Sequence, residues 1–99
     1  MTDKEYVIAC LSYTTILQQL AEESSELAQA SLKLIRAMGN GNPTPIALAD
    51  AKAKMIEEAN DVAMCLDLLG VDISDVDNNP KWQRWAERLR MMNGEQNGK

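Results

Sequence analysis

The sequence predicts an all-α fold, and three observations support that prediction. Residues that favour helices abound, whereas aromatic residues make up only 4% of the 99-residue chain and phenylalanine is absent. Leu20, Leu27 and Leu34 repeat every two helical turns. Glycine, asparagine and proline concentrate at 39–45, between two long helical patterns. The length suffices for one domain but not for two independent cores.

Two long antiparallel helices joined by this loop are expected first. The first covers about residues 3–37 and has Thr2 or Asp3 as its N-cap. The second covers about residues 45–69. It starts with a proline, which suits the first helical position, and it stops at Gly70, which can adopt a left-handed conformation.

A shorter C-terminal helix is expected after a connector. The connector covers residues 71–80, and the third helix covers about residues 80–92. The folded domain is therefore expected at 1–92, and residues 93–99 (NGEQNGK) are expected to be a disordered tail.

One part of the second helix predicts self-association. The segment VAMCLDLLGV at 62–71 is apolar around nearly its whole circumference, with Asp67 as the exception. A helix of this kind has to be buried on several sides, which three helices cannot achieve alone. We therefore expect a homodimer that completes a four-helix core, or a homotetramer built from such dimers.

Composition bears on the kinds of partner and on the location. A net charge of −5 disfavours binding to nucleic acid and to anionic membranes. Neither a charged-then-apolar leader pattern nor an eighteen-residue apolar run is recognised, so neither export nor membrane insertion is expected. Cys10 and Cys65 lie on apolar helical stretches and are expected to be buried free thiols, as in a reducing cytoplasm.

Acidic residues border the apolar stripe of each long helix. Because successive residues turn by about 100° around a helix, Glu23 falls between Leu20 and Leu27, and Glu26 lies about 60° to one side. In the second helix Glu58 and Asp61 repeat the same three-residue spacing.

If these acidic pairs face a core, their negative charge has to be compensated by protons, basic side chains or bound cations. No lysine or arginine lies nearer to either pair in sequence than Lys54, one turn before Glu58. Histidine is absent, so only hard oxygen ligands remain, and these suit Mg²⁺ or Mn²⁺. Magnesium usually shares its coordination with phosphates. Spacing alone leaves a metal site and a solvated acidic face equally open.

The sequence also resembles a known family. EESSE at 22–26 followed by EEAND at 57–61 is similar to the E-x-x-E … E-x-x-D signature of MazG-like nucleoside triphosphate pyrophosphohydrolases, all-α enzymes. The resemblance extends over roughly residues 16–90 and is closest to the short, single-domain, phage-type branch. The interval between Glu26 and Glu58 is longer than in many members, and Asn60 replaces a small or apolar residue.

The resemblance implies an activity and a set of site residues. It implies hydrolysis of a nucleoside triphosphate, NTP or dNTP, to the monophosphate and pyrophosphate, with Mg²⁺ as cofactor and Mn²⁺ as a substitute. The implied metal ligands and catalytic residues are Glu23, Glu26, Glu58 and Asp61. Glu22 and Glu57 match the first acid of each doublet and are possible accessory acids.

The expected third helix carries a row of basic residues. Lys81, Arg84 and Arg88 share one face, and in the resembled family basic residues of this helix approach the phosphates. A solvated basic face is the alternative. Trp82 and Trp85 lie on the neighbouring face and are expected to pack into a core.

A second function stays open at the level of sequence. A non-catalytic dimeric helical module that binds a partner or senses nucleotide would also explain the apolar second helix. The sequence does not specify the preferred base or sugar.

Overall fold

The computed structural model describes residues 1–94, which form four helices and contain no strand. The helices are α1 (Asp3–Cys10), α2 (Tyr13–Ala37), α3 (Leu48–Leu68) and α4 (Lys81–Met92). The all-α prediction is therefore confirmed. Of the tail expected at 93–99, only residues 93 and 94 belong to the described part, and residues 95–99 lie outside it.

The continuous helix predicted over residues 3–37 is wrong at one position. Leu11 is extended, with φ −108° and ψ 136°, and Ser12 starts a new helix. The side chain of Ser12 accepts a hydrogen bond from the backbone N–H of Thr15 at 3.1 Å, so serine caps α2. Upstream, Thr2 caps α1 in a capping box with Glu5.

The second long helix begins later than predicted. The backbone N–H of Ile46 donates to the carbonyl of Thr44 at 2.8 Å, and this tight turn keeps Pro45 outside α3. The predicted stop is confirmed: Gly70 has φ +74°, and the N–H of Val71 reaches the carbonyl of Leu66 at 2.9 Å. This hydrogen-bond pattern is the Schellman motif.

The core lies between α2 and α3, the two helices that pack extensively on each other within the described chain. They run antiparallel, because Glu26 is close to Glu58 while Lys33, further along α2, is close to Lys54, earlier on α3. The buried residues are Ile16 and Ala30 on α2 and Ala51, Glu58 and Cys65 on α3. A carboxylate thus belongs to a small core.

The single chain has an open shape. Its radius of gyration is 18.3 Å, against about 13 Å for a compact domain of this length. The helix α4 makes no extensive contact with the α2–α3 pair, so Trp82 and Trp85 stay 53% and 48% exposed, and their expected core packing is absent within one chain. Cys65 is buried as predicted, but Cys10 is exposed; both thiols are free.

The length and hydropathy of the helices bear on membrane insertion. Within residues 1–94, none of them combines the length and the apolar character that a membrane crossing requires.

Candidate metal centre

Three glutamates from two helices converge at the middle of the α2–α3 pair. Glu23 and Glu26 stand one turn apart on α2, and Glu58 faces them from α3. One carboxylate oxygen from each of the three lies within 4.8 Å of the others. Glu58 is only 4% exposed, Glu23 is half-buried and Glu26 is exposed. The site therefore opens to solvent on the Glu26 side.

A second group of acids shares Glu58. Carboxylate oxygens of Glu57, Glu58 and Asp61 also lie within 4.8 Å of one another, and Asp61 is half-buried. All four predicted ligands therefore meet in one region, and the predicted accessory acid Glu57 joins them. Glu22 is exposed on α2 and belongs to neither group.

Hydrogen bonds leave part of this charge uncompensated. Gln19 donates to Oε1 of Glu23 at 2.7 Å, and the ammonium of Lys54 donates to Oε1 of Glu58 at 3.0 Å. The second oxygens, Oε2 of Glu23 and Oε2 of Glu58, are buried without a hydrogen-bond partner among the described residues. Such atoms are uncommon in folded proteins, where water or an ion usually satisfies them.

The carboxyl groups perturb one another. Hydrogen bonding with Glu58, followed by the negative charge of Glu23, raises the pKa of Glu26. Burial, and then the charge of Glu23, raises the pKa of Asp61. The hydrogen bond from Lys54 lowers the pKa of Glu58 and outweighs its burial. Glu58 is thus held ionised, whereas Glu26 and Asp61 retain protons more readily than ordinary carboxyls.

The donor set fits a hard divalent cation. Every candidate ligand is a carboxylate oxygen, which Mg²⁺ and Mn²⁺ prefer, and no histidine occurs in the chain. Two unpartnered buried oxygens, one on each helix, supply acceptors that a cation would satisfy. A rigid pair of helices positions them, because i and i+3 residues share a face.

Two lysines beside the acids were not predicted as site residues. Lys33 and Lys54 line a pocket of about 190 Å³ together with Glu26, Gln29 and Glu58. The spacing between Lys54 and Glu58 was visible in the sequence as an i,i+4 pair. No sequence spacing indicated that Lys33 lies near the acids, because its position beside Glu58 depends on how α2 packs on α3.

The predicted phosphate-binding residues lie elsewhere in the single chain. Lys81, Arg84 and Arg88 are on α4, which does not pack extensively on α2 or α3. Trp82 and Trp85 stack with a ring distance of 6.4 Å, and the ammonium of Lys81 is 6.0 Å from the centre of the Trp85 ring. The basic row is therefore not brought to the acidic cluster within one copy.

Comparison of the chain with family models, with curated proteins and with solved structures gives no match in any of the three.

Proposed function

We propose that this chain is a MazG-like, Mg²⁺-dependent nucleoside triphosphate pyrophosphohydrolase that converts an NTP or dNTP to the monophosphate and pyrophosphate. The observation that carries the proposal is the convergence of Glu23, Glu26 and Glu58 around buried, unpartnered carboxylate oxygens. Exposed acidic clusters are common, but Glu58 is 4% exposed, and its Oε2 stays unpartnered although Lys54 contacts Oε1, so a divalent cation there would satisfy a buried acceptor.

The reaction assigned to the site is a hydrolysis at phosphorus. Water attacks the α-phosphorus, the bond from that phosphorus to the α,β-bridging oxygen breaks, and pyrophosphate leaves. Bound Mg²⁺, for which Mn²⁺ can substitute, would polarise phosphoryl oxygens and lower the pKa of water. Glu23, Glu26, Glu58 and Asp61 would hold the metal.

The remaining acids have a supporting role in this proposal. Glu57 lies within 4.8 Å of Glu58 and Asp61 and can accept a proton from the attacking water. Glu22 is exposed and lies outside both acidic groups, so it would contribute only by contacting bound substrate or water.

A homodimer, or a homotetramer made of two dimers, belongs to the same proposal. Within the segment 62–71 the large apolar side chains of Met64 and Val71 are 57% and 48% exposed. On α4, Trp82, Trp85 and Leu89 share an exposed face as well. These surfaces, together with the open shape of the chain, favour association with a second copy.

Association would also explain the basic residues of α4. A triphosphate carries more negative charge than a divalent ion neutralises, and arginine forks match phosphate oxygens. Lys81, Arg84 and Arg88 are the candidates for contacts to the phosphates, reaching the acidic cluster across the assembly. We expect a cytoplasmic location, where nucleotides and magnesium are both abundant.

The test is pyrophosphate release from a panel of ribo- and deoxyribonucleotides in Mg²⁺. Glu58→Gln should lower turnover by about a hundredfold or more. Asp50→Asn is the matched control, because Asp50 is an exposed acid on the same helix outside both acidic groups. Release of two orthophosphates, or no turnover with any nucleotide, would contradict the proposal.

The second candidate is a non-catalytic dimeric module that binds a partner or senses nucleotide. It is favoured by the exposed apolar surface, which a partner alone would explain. Mn²⁺ titration separates the two functions, because a non-catalytic module should not bind Mn²⁺ through Glu23 and Glu58.

A further inference from the structure

The buried carboxylate of the candidate metal centre already has a cation on one side. The ammonium of Lys54 lies 3.0 Å from Oε1 of Glu58 and 3.7 Å from Oε1 of Glu57. Glu58 is 4% exposed, but the Lys54 side chain is 54% exposed. An exposed charge from the surface therefore contacts a buried carboxylate.

This ion pair satisfies only part of the cluster. Oε2 of Glu58 stays buried without a partner, and so does Oε2 of Glu23. Oxygens of Glu23, Glu26 and Glu58 crowd within 4.8 Å of one another. One ammonium at the edge leaves most of that negative charge uncompensated, and a divalent ion at the centre would compensate more of it.

We propose that Lys54 is an internal counter-ion of Glu58 that a divalent cation displaces, an inference that rests on the metal site of the proposed function. An ammonium and a metal ion that share one carboxylate repel each other at such short range. In the metal-free protein Lys54 compensates and orients Glu58 through the 3.0 Å contact with its Oε1. When metal binds, the ammonium leaves Oε1, so Lys54 lowers the apparent metal affinity.

The structure allows this exchange at small cost. Lysine is a flexible point charge with a 54% exposed side chain, and the divalent ion that replaces it compensates the buried Glu58 carboxylate in its place. The pocket of about 190 Å³ that Lys54 lines with Glu26, Gln29 and Glu58 leaves the ammonium room to move away from Oε1 of Glu58. Lys54 is thus a positioning residue for Glu58.

Calorimetric titration with Mn²⁺, without nucleotide, tests the inference. Lys54→Met should bind Mn²⁺ about fivefold more tightly than the wild type, because the competing pair is gone. Lys52→Met is the matched control, since Lys52 is an exposed lysine of the same helix without an ion pair among the described residues. Its affinity should stay within about twofold. Unchanged or weaker binding by Lys54→Met would overturn the inference.

NMR of the lysine ammonium groups gives a second readout in the unaltered protein. Addition of Mg²⁺ should shift the Nζ signal of Lys54 and leave that of Lys52 in place. If the carboxyl signal of Glu58 moves but Lys54 does not, the metal site stands and the counter-ion exchange is wrong. If no carboxyl signal moves and no variant binds Mn²⁺, both this inference and the metal site fail.

Discussion

Glu26 on α2 and Glu58 on α3 bring carboxylate oxygens within 4.8 Å of each other across the interface between the two long helices. One is exposed and the other is 4% exposed, so the pair connects solvent to the core. Close approach of two acids is unfavourable unless a proton or a cation lies between them. Compensation by a proton predicts that stability depends on pH, and compensation by a cation predicts metal binding that depends on the buried glutamates.

Substitution of neighbouring glutamates separates a cation site from a solvated acidic face. Glu23→Gln should weaken Mn²⁺ binding by more than about tenfold, because Oε2 of Glu23 is buried and unpartnered. Glu22→Gln removes the same charge one residue away, from an exposed position outside the cluster, and should change affinity by less than about threefold. Calorimetry measures both. Equal effects of the two substitutions would mean that charge alone attracts the ion.

A proton should compensate the cluster when metal is absent. The pKa values of Glu26 and Asp61 are raised, so the folded state binds more protons than the unfolded state above the ordinary carboxyl range. Stability in EDTA should therefore increase as the pH is lowered from neutrality toward the ordinary carboxyl range. The lowered pKa of Glu58 does not oppose this, since its contribution is lost only at lower pH.

Thermal melts in EDTA and in Mg²⁺ measure that dependence. Bound metal keeps the carboxyls ionised, so the rise in melting temperature on acidification should be smaller with Mg²⁺. Asp61→Asn removes one of the two titrating groups and should flatten the profile in EDTA. A melting temperature in EDTA that falls steadily from neutral to mildly acidic pH would contradict the prediction.

The acidic cluster was predictable because helical geometry is local and regular. Glu23 and Glu26 had to share a face, as did Glu58 and Asp61, and a short loop makes the two helices antiparallel neighbours. The sequence placed Glu23 deeper than Glu26, as the structure has it, but it did not indicate that Glu58 is the most buried acid. That depth depends on which residues of α2 meet α3.

Other features depended on interactions that no periodic pattern records. The helix break before Ser12 occurs without glycine or proline, through a side-chain cap that competes with a continuous helix. The position of α4 depends on the connector 71–80, which lacks helical periodicity. There the indole N–H of Trp82 donates to the carbonyl of Val76 at 2.8 Å and ties the connector to α4.

Self-association should depend on the exposed face of α3. Met64 is 57% exposed in the apolar segment 62–71, and Met64→Glu would place a charge in the proposed dimer interface. The dissociation constant of the dimer should rise by about tenfold or more in this variant, as measured by sedimentation. Ile73→Glu is the control, since Ile73 is 52% exposed in the connector rather than on α3. A wild-type chain that stays monomeric at all concentrations would contradict the homodimer.

Arginine substitutions on α4 should separate phosphate contacts from general electrostatics. Arg84→Gln should raise KM for nucleotide by about tenfold and leave kcat within about twofold, because a contact to non-reacting phosphate oxygens contributes equally to ground and transition states. Arg90→Gln removes the same charge from another face of the helix and should leave KM nearly unchanged. If the two variants behave alike, the basic row acts only through net charge. If Arg84→Gln lowers kcat alone, the arginine contacts the reacting phosphoryl group.

Mixing the Arg84→Gln and Glu58→Gln variants tests whether one active site takes residues from both copies of a dimer. Mixed dimers can recover one intact site only when the arginine and the glutamate come from different copies.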